Sequence, residues 1–139
     1  MKKTVCLLFA CLFALLAGGC RAAGPAEDKT AQARINIGKS TLFSEADRDA
    51  AVQFILEKVR ADGSIAKLNA VRYAGDEKSK KEAAYDRGYE EIIVFYIDFH
   101  TAKGADAEGF NADEDYTDFQ QMLGRNAGGA WEYVDGGYA

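Results

Sequence analysis

Apolar residues fall into three regimes along the chain. Residues 5–16 are an almost unbroken apolar run, preceded by Lys2 and Lys3. Further on, Ala51, Val52, Ile55, Leu56 and Val59 recur at steps of three and four, which makes one apolar stripe on a helix. Ser44 stands before that stripe as an N-cap, and Glu45 and Asp47 occupy the first turn, where the helix dipole favours carboxylates. Gly63 is placed as a C′ residue, so the spacing predicts a helix over 44–62. The period then shortens to two. In EIIVFYIDFH, residues 91–100, Ile93, Phe95, Ile97 and Phe99 point one way. Ile92, Val94, Tyr96, Asp98 and His100 point the other. Both faces are apolar at the start, which predicts a central strand whose second face turns polar at one end.

Weaker signals fill the intervals. Ile35, Asn36 and Ile37 read as a short strand, and 64–73 as a strand with imperfect alternation, ended by Gly75 and Asp76. Residues 77–87, EKSKKEAAYDR, read as a short charged surface helix closed by Gly88. Residues 101–115 are a loop rich in glycine and acids. Residues 116–125 fit two periods: Phe119, Met122 and Leu123 suit a helix, while Thr117, Phe119, Gln121 and Leu123 suit one face of a strand. NAGG at 126–129 is a turn signal, and 130–134 follows as a strand with Trp131 and Tyr133 on one face. Helix, strand, short helix and then strands in succession is an α+β order. The expected architecture is a long N-terminal helix packed on a curved antiparallel sheet.

The N-terminal run has a different meaning. A basic start, an apolar core of about a dozen residues and the small residues Ala17, Gly18 and Gly19 follow the layout of a secretory signal. The core is shorter than the roughly 20 residues a spanning helix needs. The box Leu16-Ala17-Gly18-Gly19-Cys20 resembles that of bacterial lipoproteins, although those favour leucine where Ala17 stands. The resemblance implies cleavage before Cys20 and acylation of its thiol, with membrane attachment through that lipid. Two or more acyl chains anchor stably where one does not. Cys6 and Cys11 lie in the leader and would leave with it, so the remaining domain would carry neither a free thiol nor a disulfide. The expected organisation is a signal peptide over 1–19, a lipidated cysteine and flexible tether over 20–34, and a single domain over 35–139.

Charge narrows the partners. The formal net charge is −5, and loss of Lys2 and Lys3 with the leader would take it to −7. That balance argues against nucleic acid and against a polybasic membrane face. About 100 residues of domain suffice for one core. No P-loop, G-x-G-x-x-G, G-x-S-x-G, H-E-x-x-H or paired C-x-x-C occurs. With a single histidine and no remaining thiol, a structural zinc site is not expected, and no cofactor is implied.

The C-terminal stretch LGRNAGGAWEYVDGGY, residues 123–138, resembles the closing hairpin of the nuclear-transport-factor-2-like, or cystatin-like, superfamily. With IGKSTLFSEAD, EEIIVFYIDF, the Gly/Asx-rich loop and DYTDF, residues 35–139 also resemble a group of uncharacterised small bacterial lipoproteins. The resemblance implies a cone-shaped, bent sheet around a helix and tips 116–125 toward strand. It carries no activity.

Three sets of residues are candidates for chemistry. Tyr96, Asp98 and His100 share one strand face, and a His–carboxylate pair is an acid/base unit. Strand ends also turn polar merely on meeting solvent. Asp106, Glu108, Asn111, Asp113 and Asp115 offer oxygen ligands at close spacing, but without the EF-hand order, and a solvated acidic loop is the plainer reading. Trp131 and Tyr133 are candidates for binding among many half-buried aromatic residues. The expected function is that of a lipid-anchored envelope protein, outside the cytoplasm, with a small-ligand or protein-binding domain and no catalytic activity. The alternatives are a cavity enzyme built on Asp98, His100 and Tyr96, and an immunity- or inhibitor-type lipoprotein.

Overall fold

The computed structural model describes residues 26–138. Cys20 lies outside the described residues. The domain is α+β, with strands β1 (Arg34–Asn36), β2 (Ile65–Tyr73), β3 (Glu91–Thr101), β4 (Asp115–Arg125) and β5 (Glu132–Gly137). Helix α1 (Glu45–Ala61) joins β1 to β2, and α2 (Asp76–Ala83) joins β2 to β3. A short 3-10 turn, Ala105–Glu108, interrupts the loop before β4. The strand order is β1-β2-β3-β4-β5, the order of the chain itself. Among the described residues no helix is long and apolar enough to cross a membrane.

The sheet is mixed rather than wholly antiparallel, a correction to the expectation. β1 runs parallel to β2, with Arg34 opposite Ala70, while the other pairs are antiparallel. The reason is the connection: α1 carries the chain back along the sheet, so the next strand starts at the end from which β1 started. Nothing local in β1 encodes that direction.

The 17-residue helix α1 begins as its first turn dictates. Ser44 Oγ accepts from the Asp47 amide, and the Asp47 carboxylate accepts from the Ser44 amide, a reciprocal capping box. Its stripe of Ala51, Val52, Ile55, Leu56 and Val59 is buried against the inner face of the sheet, where Leu68, Val71, Ile93, Phe95, Ile97, Phe99 and Leu123 form the core. Each such side chain contributes about 1.5–3 kcal/mol by leaving water. At the C terminus Gly63 is not left-handed, so the expected glycine cap is not used. Lys29 takes its place: its ammonium donates to the carbonyls of Asp62 and Ile65. Lys29 belongs to two turns over 28–33, where Thr30 is buried and the Lys29 carbonyl accepts from the Leu68 amide. The flexible stretch expected over 20–34 thus gives way to packed chain by Asp28, because short polar side chains satisfy the backbone there.

The other face of the sheet is split. Ile92, Val94 and Met122 form a second apolar cluster with Ala74, Tyr89 and Val134 packed on it. Helix α2 is shorter than the 77–87 expected: it ends at Ala83, and Gly88 turns the chain four residues beyond the cap at Ala84. Beyond the cap, the Arg87 side chain folds back onto the Glu82 carboxylate at 2.8 Å. The Asp76 carboxylate at the start of α2 gathers the segment after β1. It accepts from Ser40 Oγ at 2.6 Å, and from the Thr41 amide and Oγ1 and the Tyr73 hydroxyl at 2.8 Å. Those donors hold its carboxyl well below the usual range.

Candidate functional site

The inner face of the sheet ends in a cavity of about 300 Å³. Lys58 and Val59 line it from the last turns of α1, Asp62 and Ser64 from the connection to β2, and Ile65 from the start of β2. Ile97 and Phe99 come from β3, and Phe119 and Gln121 from β4. Glu108 and Phe110 reach it from the 102–114 loop, and Tyr133 and Gly136 from β5. One end carries a cluster of rings. Phe99 stacks on Tyr116 at 5.1 Å between centroids, and Phe110 meets both edge-on. Tyr138 stacks beyond Tyr116 at 6.3 Å. The Asn111 amide donates to the Tyr116 hydroxyl, which fastens the loop to this cluster.

A bulge in β4 makes the cluster possible. Ile97 pairs with Phe119 and Phe99 with Tyr116, so Thr117 and Asp118 together oppose Asp98. Two aromatic residues three apart in sequence therefore reach the same face. Asp118 is left-handed at φ 55°, a strained conformation for a side-chain-bearing residue. Its partners hold it there: its amide donates to Asp98 Oδ1 at 2.9 Å, and its carboxylate accepts from Arg72.

The polar lining is sparse. The Lys58 ammonium sits 4.2 Å above the centroid of the Tyr133 ring. Asp62 Oδ1 accepts from the Ser64 amide and hydroxyl. Glu108 pairs with no cation among the described residues. Burial, and then the charge of Asp135, push the Tyr133 hydroxyl up from its ordinary value.

Asp98 and His100 do not line this cavity. Both lie on the opposite face of β3, and they are not hydrogen-bonded to each other. Arg72 grips Asp98 in a fork, at 2.6 and 3.1 Å, and with the Asp118 amide holds its carboxyl below the usual range. Tyr96 is half-buried on the same outer face, opposite Arg72 and Gln120. The acid/base pair drawn from strand periodicity is thus not assembled, because neighbouring strands supply closer partners to each member.

His100 is clamped instead between Asp115, 2.9 Å from Nδ1, and Asp113, 3.0 Å from Nε2. Only the doubly protonated ring donates to both. The Asp113 bond first, and then the Asp115 bond, raise its pKa above the ordinary value. Lys67 stands opposite it across the strand pair. Because the folded value is raised, the clamp contributes fully below the unfolded value of about 6.5 and is lost as pH rises through the folded one. Denaturant midpoints of the wild type and His100→Asn are expected to differ most near pH 5 and to converge toward pH 9. A difference constant with pH would mean that the ring is neutral throughout.

The acidic loop does not converge. Asp113 and Asp115 serve His100, Asn111 Nδ2 donates to Glu114, and Asp106 and Glu108 stand exposed on the 3-10 turn. Among the described residues no group of three histidine, cysteine or carboxylate side chains is arranged to hold a metal ion. Trp131 is buried against Phe43 and under Arg125, so it is a packing residue; Tyr133 does reach the cavity. Lys58, Phe110, Phe119 and Gln121 were not singled out from sequence. For Phe119 and Gln121 the signal exists only when 116–125 is a strand, which sets them opposite Ile97 and Phe95 on the inner face.

The chain matches no protein-family model, no curated protein and no solved structure. The chemistry of the cavity therefore rests on its own geometry.

Proposed function

We propose that this chain is a bacterial envelope lipoprotein, held at a membrane by lipid on Cys20 after loss of residues 1–19, whose domain is of the nuclear-transport-factor-2-like (cystatin-like) type and binds a small ligand without transforming it. The observation that supports the binding role is the cavity between α1 and the inner sheet face, floored by aromatic rings and edged by a few polar groups. Its volume lies at the low end of the roughly 300–1,000 Å³ of ligand pockets, which suits a metabolite-sized molecule. A helix packed across a sheet, with a cavity left at one end, is the arrangement the resemblance implies. Asp98 and His100 keep structural roles in this reading, since each is already engaged by its own partners.

The anchor is tested by growing cells with a palmitate analogue. Wild-type protein is expected to take up label and stay with membranes, and Cys20→Ser to lose essentially all label. Equal labelling of the two would overturn the anchor. The binding role is tested on full-length protein in maltoside micelles by a thermal shift against metabolite-sized compounds. A compound that stabilises the wild type and fails on Tyr133→Ala, which removes a half-exposed lining residue, supports the cavity as the site. Equal stabilisation of both proteins places binding elsewhere.

A further inference from the structure

Building on the cavity as the binding site, we infer that its ligand is a small organic cation of the alkylammonium class, seated on the face of the Tyr133 ring. That face already holds a cation. The Lys58 ammonium stands 4.2 Å above it, drawn by the ring quadrupole, an attraction that strengthens as water is excluded. Carboxylates prevail among the charged lining side chains, with Asp62 and Glu108 against Lys58. Glu108 has no cation of its own among the described residues. The carbonyl end of α1, which stops at Ala61, is already capped by the Lys29 ammonium on the carbonyls of Asp62 and Ile65, so the lining carboxylates carry the bias.

The apolar part of the lining selects the kind of cation. Phe110 and Phe119, packed over the buried Phe99, offer ring surface to alkyl groups around a charged nitrogen. A hydrated metal ion would have to shed water against those rings with too few oxygen ligands to replace it. An anionic ligand would meet Asp62 and Glu108, with Lys58 the one cation among the lining side chains. A cavity of about 300 Å³ admits a small ammonium compound but no folded partner. On binding, the ligand takes the place of the Lys58 ammonium over Tyr133, and the flexible lysine stem swings its charge out to water.

The test is calorimetric titration of full-length protein in maltoside micelles with choline, with its uncharged carbon isostere 3,3-dimethylbutan-1-ol, and with phosphocholine. Choline is expected to bind about tenfold tighter than the isostere, and Tyr133→Leu to lose about tenfold in choline affinity. Glu108→Gln, an exposed position where folding is not at stake, is expected to weaken choline about threefold. Lys58→Met should tighten it, because the resident competitor is gone. Phosphocholine separates the sources: binding equal to choline's points to a lipid headgroup and weaker binding to a free cation, and either sustains the cation. Equal binding of the isostere overturns the cation while leaving the cavity as a binding site. Weaker choline binding by Lys58→Met also overturns it, by making Lys58 an anchor for an anion. If no probe binds the wild type or Lys58→Met, both the cation and the cavity reading fall.

Discussion

Replacing Arg125 with alanine is expected to lower the free energy of unfolding by about 3 kcal/mol, near the range for removing one partner of a buried ion pair. The guanidinium joins two segments distant from it in sequence and packs on a nearby indole. Its Nη1 donates to Asp47 at 2.7 Å at the start of α1, and its Nε donates to Glu91 at 2.5 Å at the start of β3. Its plane lies over the Trp131 ring, 4.3 Å from the centroid, and the Trp131 indole N–H donates to the Asp47 carbonyl. The side chain is only 15% exposed, so this is no surface pair of the kind whose net contribution is small. Its loss leaves two carboxylates uncompensated and uncovers an aromatic face. Arg125→Lys keeps the charge but loses the fork and the stacking, and should recover less than half of the loss.

Urea midpoints measure both effects, and a loss below about 1 kcal/mol for Arg125→Ala would reduce the cluster to an ordinary surface pair. The same cluster sets an acid limb. The Arg125 hydrogen bond first, and then that of Ser44, hold the Asp47 carboxyl at about 2, below its unfolded value. A lowered pKa contributes stability above about pH 4 that is lost as pH falls through about 2. Arg125→Ala should therefore show a shallower decline of stability over that window than the wild type.

Gly124→Val is expected to cost about 2–3 kcal/mol, and Gly124→Ala about 1 kcal/mol, through overpacking. In an ordinary strand position the alanine change gains stability, because glycine carries an entropic disadvantage of about 0.5–1 kcal/mol. The sign reverses here because the Tyr89 ring lies directly on Gly124. A Cβ at that position would stand 2.7 Å from Cδ2 and 2.9 Å from Cδ1 of the ring, and closer still to Cγ. The ring cannot shift without uncovering Ile92 and Met122, which are 2% and 1% exposed beneath the outer cluster. Combining Gly124→Ala with Tyr89→Ala should show positive coupling, since the clash needs both partners. Strict additivity of the two losses would mean that the ring moves aside at no cost.

How far the chain could be read depended on whether its elements keep one period. α1 keeps 3.6 throughout and carries its own cap at Ser44, and it lies within a residue of the predicted bounds at either end. β3 keeps strict alternation, and its two faces divide as expected. β2 alternates imperfectly because register shifts intervene between Ile65 and Lys67 and between Leu68 and Ala70. β4 was ambiguous for a related reason. Its bulge at Thr117 and Asp118 puts Tyr116 and Phe119 on one face at a helical spacing, so a strand imitates a helix. β5 begins later than 130 because Trp131 drops into the core before pairing starts. The direction of β1 and the walls of the cavity were not readable from the periods of the chain. The first depends on where α1 returns the chain, and the second come from α1, the α1–β2 connection, β2, β3, β4, β5 and the loop before β4.

The succession of strands across the sheet bears on how the chain assembles. Each strand lies beside the one made just before it, so no early strand must wait for a late one to be paired. Ordering can progress from the N-terminal side as synthesis releases more chain, with little unpaired edge left exposed to other chains on the way. The hollow beside α1 is completed last, when the final residues bring Tyr133 and Gly136 into place.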